Sequence, residues 1–260
     1  MTAIPSYDAR SFIRVLEGGS TFPLLVDVDE GQSFVVKAFT KEHIQQTSAT
    51  FCEFLGNILA KEFGIETLEC ALMNLTTSFI DSLPKQVQER ISKSGDGLKF
   101  CCRYSEGAGT YTHSLGKFIS KSNHIANIFA YDILIRNVDR TKAKPNILLQ
   151  NNSIYLIDHE LSFDVDEKYL YKFNNLDTSV YPFESHIFYE SLKKTRKDKL
   201  NLFDEFEENL KRLNLQVIEE LISFLKNKNI WTAKNYLISY FSEVKKQSYK
   251  FVQMLQMMIK

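Results

Sequence analysis

The hydrophobic period changes along this chain, and that change limits the possible folds more than any other feature. Residues 10–39 are built from short β-rich runs: Phe12, Arg14 and Leu16 alternate, PLLVDVD follows, and SFVVKAF comes after the tight-turn sequence DEGQ. Two such runs around an Asp/Gly turn predict an antiparallel hairpin. A helical period then takes over for one segment. Phe51, Phe54, Leu55, Ile58, Leu59 and Phe63 recur at three and four, with Thr47 or Ser48 to cap the start and Gly64 to end it. ECALMNL and LKFCCRY read as two further strands, and the polar segment 77–95 reads as helical. SEGAGT is a connector, so we divide the chain into lobes at residues 1–104 and 105–260.

Behind the connector, Ile125, Ile128, Phe129, Asp132, Ile133 and Arg136 again step by three and four. NILLQ and SIYLID read as two short strands joined by NNS. Residues 184–260 are mostly helical, with Leu210, Leu213, Val217 and Leu221, then Tyr236, Tyr240 and Phe241, as the core stripes. Trp231 is expected in the core with these aromatics. A strand-rich front holding one helix, followed by a helical back holding one hairpin, is a bilobal α+β pattern.

Charge removes several functions. The 260 residues carry 32 basic and 32 acidic groups. A dedicated nucleic-acid binder or a polybasic membrane-surface protein carries a clear basic excess, so direct binding to either is not expected. No apolar run approaches the roughly 18 residues of a membrane span, and no signal peptide is visible. Cys52, Cys70, Cys101 and Cys102 form no C-x-x-C pair and no zinc spacing. They read as reduced, buried thiols of a cytoplasmic protein. No G-x-S-x-G occurs, which argues against a nucleophile-elbow hydrolase.

Four features then fall in one order. A Gly turn (Gly18, Gly19, with Ser20) lies between strands, Lys37 ends an apolar strand, Asp139 to Asn146 forms a loop, and Asp158 closes a strand. Each alone is ordinary. Together they are the parts that phosphoryl transfer from ATP needs. A glycine loop lets backbone N–H groups approach phosphate because no Cβ intervenes. A lysine on the next strand supplies a cation to the phosphates. One carboxylate accepts the proton of the attacking hydroxyl, and a second carboxylate with an amide oxygen holds magnesium.

The sequence NVDRTKAKPNILL, followed by SIYLIDHELSF, resembles the HipA-like kinases, in particular a compact branch that reads N-x-DR-T-x-x-NPN-LL and then L-IDH-G. The stretches EGGSTFPLLVDVDEGQSFVVKAF, FCEFLGNILAKEFGI and YSEGAGT are similar to the front of that branch, so the resemblance runs from about residue 10 to 165. It implies a protein-kinase-like fold using ATP and Mg2+. It implies that Asp139 is the catalytic base, that Arg140 positions its loop by pairing with a carboxylate, and that Asn146 and Asp158 bind magnesium. Lys37 would meet the α- and β-phosphates, and Glu53 would pair with Lys37. Gly18, Gly19 and Ser20 would cover the phosphates, and residues 100–106, including Tyr104, would meet adenine. Larger relatives autophosphorylate a serine in the glycine loop, which makes Ser20 or Thr21 the equivalent position here. Relatives with antitoxin partners imply a regulatory partner.

The chain departs from that pattern in three places. Lys144 stands where the relatives have the first Asn of N-P-N, and only Asn146 is kept. Glu160 follows IDH in place of a small residue; we read it as an exposed charge in preference to a third metal ligand. Glu53 lies opposite the apolar stripe of its helix. His159 reads as a hydrogen-bonded core histidine. Three functions fit these residues: a kinase acting on Ser or Thr of an unidentified protein, a kinase acting on a lipid or small molecule, and a nucleotide-binding pseudokinase.

Overall fold

The computed structural model describes residues 4–17, 21–94, 97–112, 124–151, 153–195, 199, 201–233 and 236–260. Gly18, Gly19 and Ser20 therefore lie outside the described residues, as does part of the basic run at 193–199.

The front of the chain is a six-stranded sheet. Its strands are β1 (Ser6–Asp8), β2 (Ser11–Val15), β3 (Leu24–Asp27), β4 (Ser33–Lys37), β5 (Cys70–Asn74) and β6 (Lys99–Arg103), in the spatial order β1-β5-β6-β4-β3-β2. Only the β1–β5 pair is parallel. The predicted hairpin is β3–β4, and its turn places Gly31 at φ +70°, a conformation that a Cβ disfavours. Strand alternation sorts the side chains of β4. Phe34 and Val36 join Leu24, Val26, Ala71, Met73 and Cys101 in a small core. Lys37 falls on the opposite face, paired in register with Phe100.

The small core is covered by α3 (Thr77–Ser82) and α4 (Lys85–Ser92) through Phe79, Leu83, Val87 and Ile91. The sequence reads 77–95 as one helical stretch, and Pro84 splits it. Proline disfavours helical backbone in the residue before it, and Leu83 is accordingly extended at ψ 155°. A short helix, α1 (Lys41–Thr47), precedes the predicted one and was not anticipated. It buries none of its residues, so it leaves no apolar stripe to read.

The predicted helix is α2 (Ala49–Glu62). Its end is closed as expected: Gly64 takes φ +67°, its N–H donates to the Lys61 carbonyl at 3.1 Å, and the Ile65 N–H donates to that of Ala60 at 2.9 Å. Its start differs. Ser48 adopts a left-handed conformation and makes no capping bond; its Oγ instead accepts from the Ala233 N–H at 3.1 Å. One side of α2 meets the sheet, where Phe54 and Phe100 pack edge to face with centroids 4.9 Å apart. The rest sinks into the main core, which also contains the C-terminal helices.

Those helices are α5 (His124–Leu134), α6 (Glu167–Asn174), α7 (Tyr189–Lys193), α8 (Asp204–Arg212), α9 (Gln216–Asn227), α10 (Leu237–Lys246) and α11 (Ser248–Met258). Phe63 of the α2 terminus stacks on Phe206, and Phe206 stacks on Phe251, with centroids 4.5 and 5.9 Å apart. Burial of side chains this large is worth about 1.5–3 kcal/mol each. Tyr240 and Phe241 join this core, whereas Trp231 is 51% exposed and does not. The period of its neighbours does not extend to it, because it precedes α10 in an irregular stretch. A second sheet is formed by β7 (Gly109–Thr110), β8 (Ile147–Gln150) and β9 (Ser153–Leu156), in that order. Among the described residues, no helix is long and apolar enough to cross a membrane.

Gly56 sets how closely α2 approaches the loop after β9. A Cβ at this position would stand 2.4 Å from Cγ of His159. The Tyr131 hydroxyl, from α5, donates to the Gly56 carbonyl at 2.5 Å and ties the same turn from the other side. Gly56→Ala should therefore lower stability by about 1–3 kcal/mol, the usual cost of overpacking. Chemical denaturation of Gly56→Ala, His159→Ala and the double variant checks this: the double variant should recover part of the loss, and strict additivity would mean the ring is not the obstacle.

Candidate active site

The site is built where two loops of the helical part meet the lysine end of β4. The first loop follows α5, and a buried carboxylate holds it. Asp132 on α5 is fully buried. Its Oδ2 accepts from Nε of Arg140 at 2.6 Å and its Oδ1 from the Asn137 side-chain amide at 3.0 Å. Nδ1 of His186 accepts from the Phe188 N–H at 3.2 Å, so Nε2 carries the ring proton and donates to Asp132 at 3.0 Å. Arg140 thus pairs with a carboxylate, that of Asp132. The arginine reaches further. Nη1 donates to the carbonyl of Asn146, and it lies 3.4 Å from that of Ile157. One guanidinium therefore braces α5, the residue Asn146 and the residue before Asp158.

Asp139 precedes this arginine and is turned outward, its side chain 23% exposed. Both its oxygens have donors: Nζ of Lys144 at 3.3 Å from Oδ1, and Nδ2 of Asn146 at 3.4 Å from Oδ2. A turn brings Lys144 there, with the Lys144 N–H on Thr141 Oγ1 at 3.2 Å and the Thr141 N–H on the Lys144 carbonyl at 3.0 Å. Asn146 and Asp158 both have positive φ, 49° and 67°, in the left-handed region that Asn and Asp tolerate better than other side chains. The Ile157 N–H donates to the Asn146 carbonyl at 3.1 Å and holds the two strained positions together.

The second loop supplies Asp158, His159 and Glu160. Nζ of Lys37 donates to Asp158 Oδ1 at 2.6 Å and also to Oε1 of Glu53. Glu53, on α2, is 1% exposed and accepts from the His159 backbone N–H. The residue lying off the apolar stripe of its helix thus faces the lysine. Burial alone would strip the proton from Lys37, but Glu53, Asp158 and Glu160 outweigh it and hold the ammonium more firmly protonated than usual. Burial alone would likewise raise the Asp158 carboxyl; Lys37 overrides this and keeps it below the ordinary carboxylate value.

Glu160 corrects the sequence reading. It is 7% exposed, not a surface charge. Burial, opposed by Lys37 and reinforced by Asp158, Glu53 and Asp139, pushes its carboxyl up to about 8. The loop must fold back against α2 to bring His159 beneath Gly56, and Glu160 turns inward with it. His159 lies in the core as expected, but neither ring nitrogen has a hydrogen-bond partner among the described residues. Burial lowers its ring to about 3, so it is neutral. His43 was not anticipated; its Nε2 lies 3.7 Å from Glu160 Oε1.

Lys37, Glu53 and Asp158 are therefore in direct contact, and Asp139 joins them through Asn146 and Ile157. Tyr104 is not part of this cluster. It sits at the end of β6 with its N–H on the Ser33 carbonyl at 2.8 Å. The connector beyond it is tied to β8, because Ser105 Oγ donates to Gln150 at 2.6 Å and Gln150 donates to the Glu106 carbonyl at 2.7 Å. Asp158 is a partly exposed carboxylate, and Asn146 uses its amide N–H on Asp139, which leaves Oδ1 to act as an acceptor. Carboxylate and amide oxygens suit hard divalent cations such as Mg2+ or Mn2+.

The Asp132 network gives a pH test. Burial raises the Asp132 carboxyl, but Arg140 and His186 outweigh that and depress it. A depressed carboxyl contributes stability above the unfolded value near ~3.9 and loses it as pH falls through the folded value. Asp132→Asn should cost about 3–5 kcal/mol at neutral pH, because it strands a buried guanidinium. Urea denaturation from pH 7 to pH 3 should show a smaller acid-induced loss in Asp132→Asn than in the wild type; parallel curves would remove Asp132 as the source.

The HipA-like kinase model matches residues 10–236. Among solved structures, the Helicobacter pylori proinflammatory kinase CtkA is similar at a TM-score of 0.59 and 14% identity, over 99% of this chain and 98% of that one. The Golgi casein kinase is similar at 0.46 and 11%, over 96% of this chain and 72% of that one. LicA in complex with AMP is similar at 0.36 and 15%, over 92% of each chain. No curated protein matches. The α+β, kinase-like fold expected from the sequence is the fold shared with CtkA. With most of its length matched, this chain belongs to the HipA-like kinase family, whose chemistry is phosphoryl transfer.

Proposed function

We propose that the protein is an ATP- and Mg2+-dependent kinase that transfers the γ-phosphate to a Ser or Thr hydroxyl of a protein. One observation carries the reading: Lys37 and Asp158, 121 residues apart in sequence, meet at 2.6 Å with Glu53 on the other side of the ammonium. A buried lysine held charged between two carboxylates on different elements is a preorganised cation for phosphate oxygens. Residues 1–104 would present the nucleotide and residues 105–260 the acceptor.

Each residue has a role in this reading. Lys37, oriented by Glu53, binds the α- and β-phosphates. Gly18, Gly19 and Ser20 cover the phosphates, and the stretch around Tyr104 meets adenine. Asp139 accepts the proton of the attacking hydroxyl as its oxygen bonds to the γ-phosphorus and ADP departs. Asn146 orients Asp139 through its N–H and, with Asp158, holds Mg2+. The metal supplies positive charge to the phosphates when bound. Arg140 keeps these loops in register. Lys144 adds a cation beside Asp139 at the position where relatives carry an amide.

A nucleotide-binding pseudokinase is the second reading, favoured by the same contact: the Lys144 ammonium occupies an oxygen of the base, Asp139 Oδ1, at 3.3 Å. Incubation of the purified protein with Mg2+, labelled ATP and cell extract separates the two. A labelled protein band is expected, and Asp139→Ala and Asp158→Ala should each reduce labelling by about 100-fold or more. Nucleotide binding without transfer would favour the pseudokinase, and label confined to lipid or small molecules would overturn the protein acceptor.

A further inference from the structure

Glu160 is a buried carboxylate with one oxygen left unsatisfied among the described residues. Its side chain is 9% exposed, and its Oε2 has no hydrogen-bond partner among the described residues. The available donors are spent or too far. Lys37 is engaged by Glu53 and Asp158. His43 Nε2 stands 3.7 Å from the other oxygen, Oε1, beyond hydrogen-bond reach. A buried carboxylate left in this state is costly, and the ways to relieve it are a proton, a donor or a cation.

Near neutral pH a proton supplies that relief, since the carboxyl is pushed up to about 8, and the surroundings offer a place for a cation that displaces it. One oxygen each of Glu53, Asp158 and Glu160 lie within 4.8 Å of one another. Oxygens on opposite sides of a hard divalent ion stand roughly 4–5 Å apart, twice the metal–oxygen distance. Three carboxylates against the single ammonium of Lys37 leave the group with excess negative charge when all are ionised. Asp158, with its side chain 29% exposed, gives the group a side open to water.

We propose that Glu160, together with Asp158 and Glu53, forms a seat for a hard divalent cation that fills without nucleotide. Glu160 is the residue that distinguishes this chain at that position, so the seat is a property of this chain and not of the glycine-bearing pattern it resembles. The inference rests on the kinase reading for its consequence, which is that a cation is already present when ATP arrives. Its test does not depend on transfer.

Mn2+ binding to the full chain, without nucleotide, is measured by electron paramagnetic resonance of the free ion and by the ion-dependent shift in melting temperature. The wild type should bind one Mn2+. Glu160→Gln, a neutral replacement of equal size, should weaken binding by about tenfold or more. Asp139→Ala should abolish transfer but keep nucleotide-free binding, which separates failure of the kinase reading from failure of the seat. Circular dichroism establishes that each variant is folded. Should Glu160→Gln not fold, Glu160→Gly, the residue that the resembled pattern carries there, is measured in its place with the same expected loss. Absence of nucleotide-free binding, or retention of full affinity in the Glu160 variant, overturns it.

Discussion

The ammonium of Lys37 joins parts of the chain that are otherwise separate. It sits at the end of β4, donates to Glu53 on α2, and donates to Asp158 in the loop after β9. Sheet, helix and loop thus converge on one charge. The geometry follows from two periodicities. Strand alternation sends Phe34 and Val36 into the small core and leaves Lys37 on the face toward α2. The helical period of α2 buries Phe51, Phe54 and Leu55 and still turns Glu53 inward, because both flanks of this helix are covered. Each carboxylate is tolerable in a buried place because the lysine is there, and the lysine stays charged because the carboxylates are.

A second buried cation does the structural work behind the site. Arg140 is fully enclosed, and its partners are a carboxylate on α5 and the carbonyls of residues beside or within the site. The loops that carry Asp139, Asn146 and Asp158 are short and contain left-handed residues at 146 and 158. Such backbone persists only when its surroundings over-determine it. Asp132, Asn137 and His186 provide that constraint around the guanidinium. The close approach of Gly56 to His159 sets the same loop from the α2 side. The candidate site is therefore built on buried supports, although Asp139 and Asp158 are themselves partly exposed.

Most of the elements were legible because local rules decide them. The hairpin β3–β4 follows from apolar strands around a turn that needs Gly31. The end of α2 follows from Gly64. What failed were features without a local signature. Helix α1 fully buries none of its residues, so it carries no stripe, and Pro84 broke a segment read as continuous. Trp231 was assigned to the core by the company it keeps in sequence, yet it lies outside the helix that buries its neighbours.

The site shows the same division. The order Lys37, Asp139, Asn146, Asp158 stands in the sequence, and residue type limits which chemistry each can perform. The sequence by itself determined the fold class and the family. It did not determine environment. Glu53 looks like a surface residue on a helical projection, and Glu160 looks like a solvated charge, since most acidic side chains are. Only the packed chain decided that both are buried against one lysine. Burial depends on contacts between residues more than a hundred positions apart, and local propensity carries no information about them.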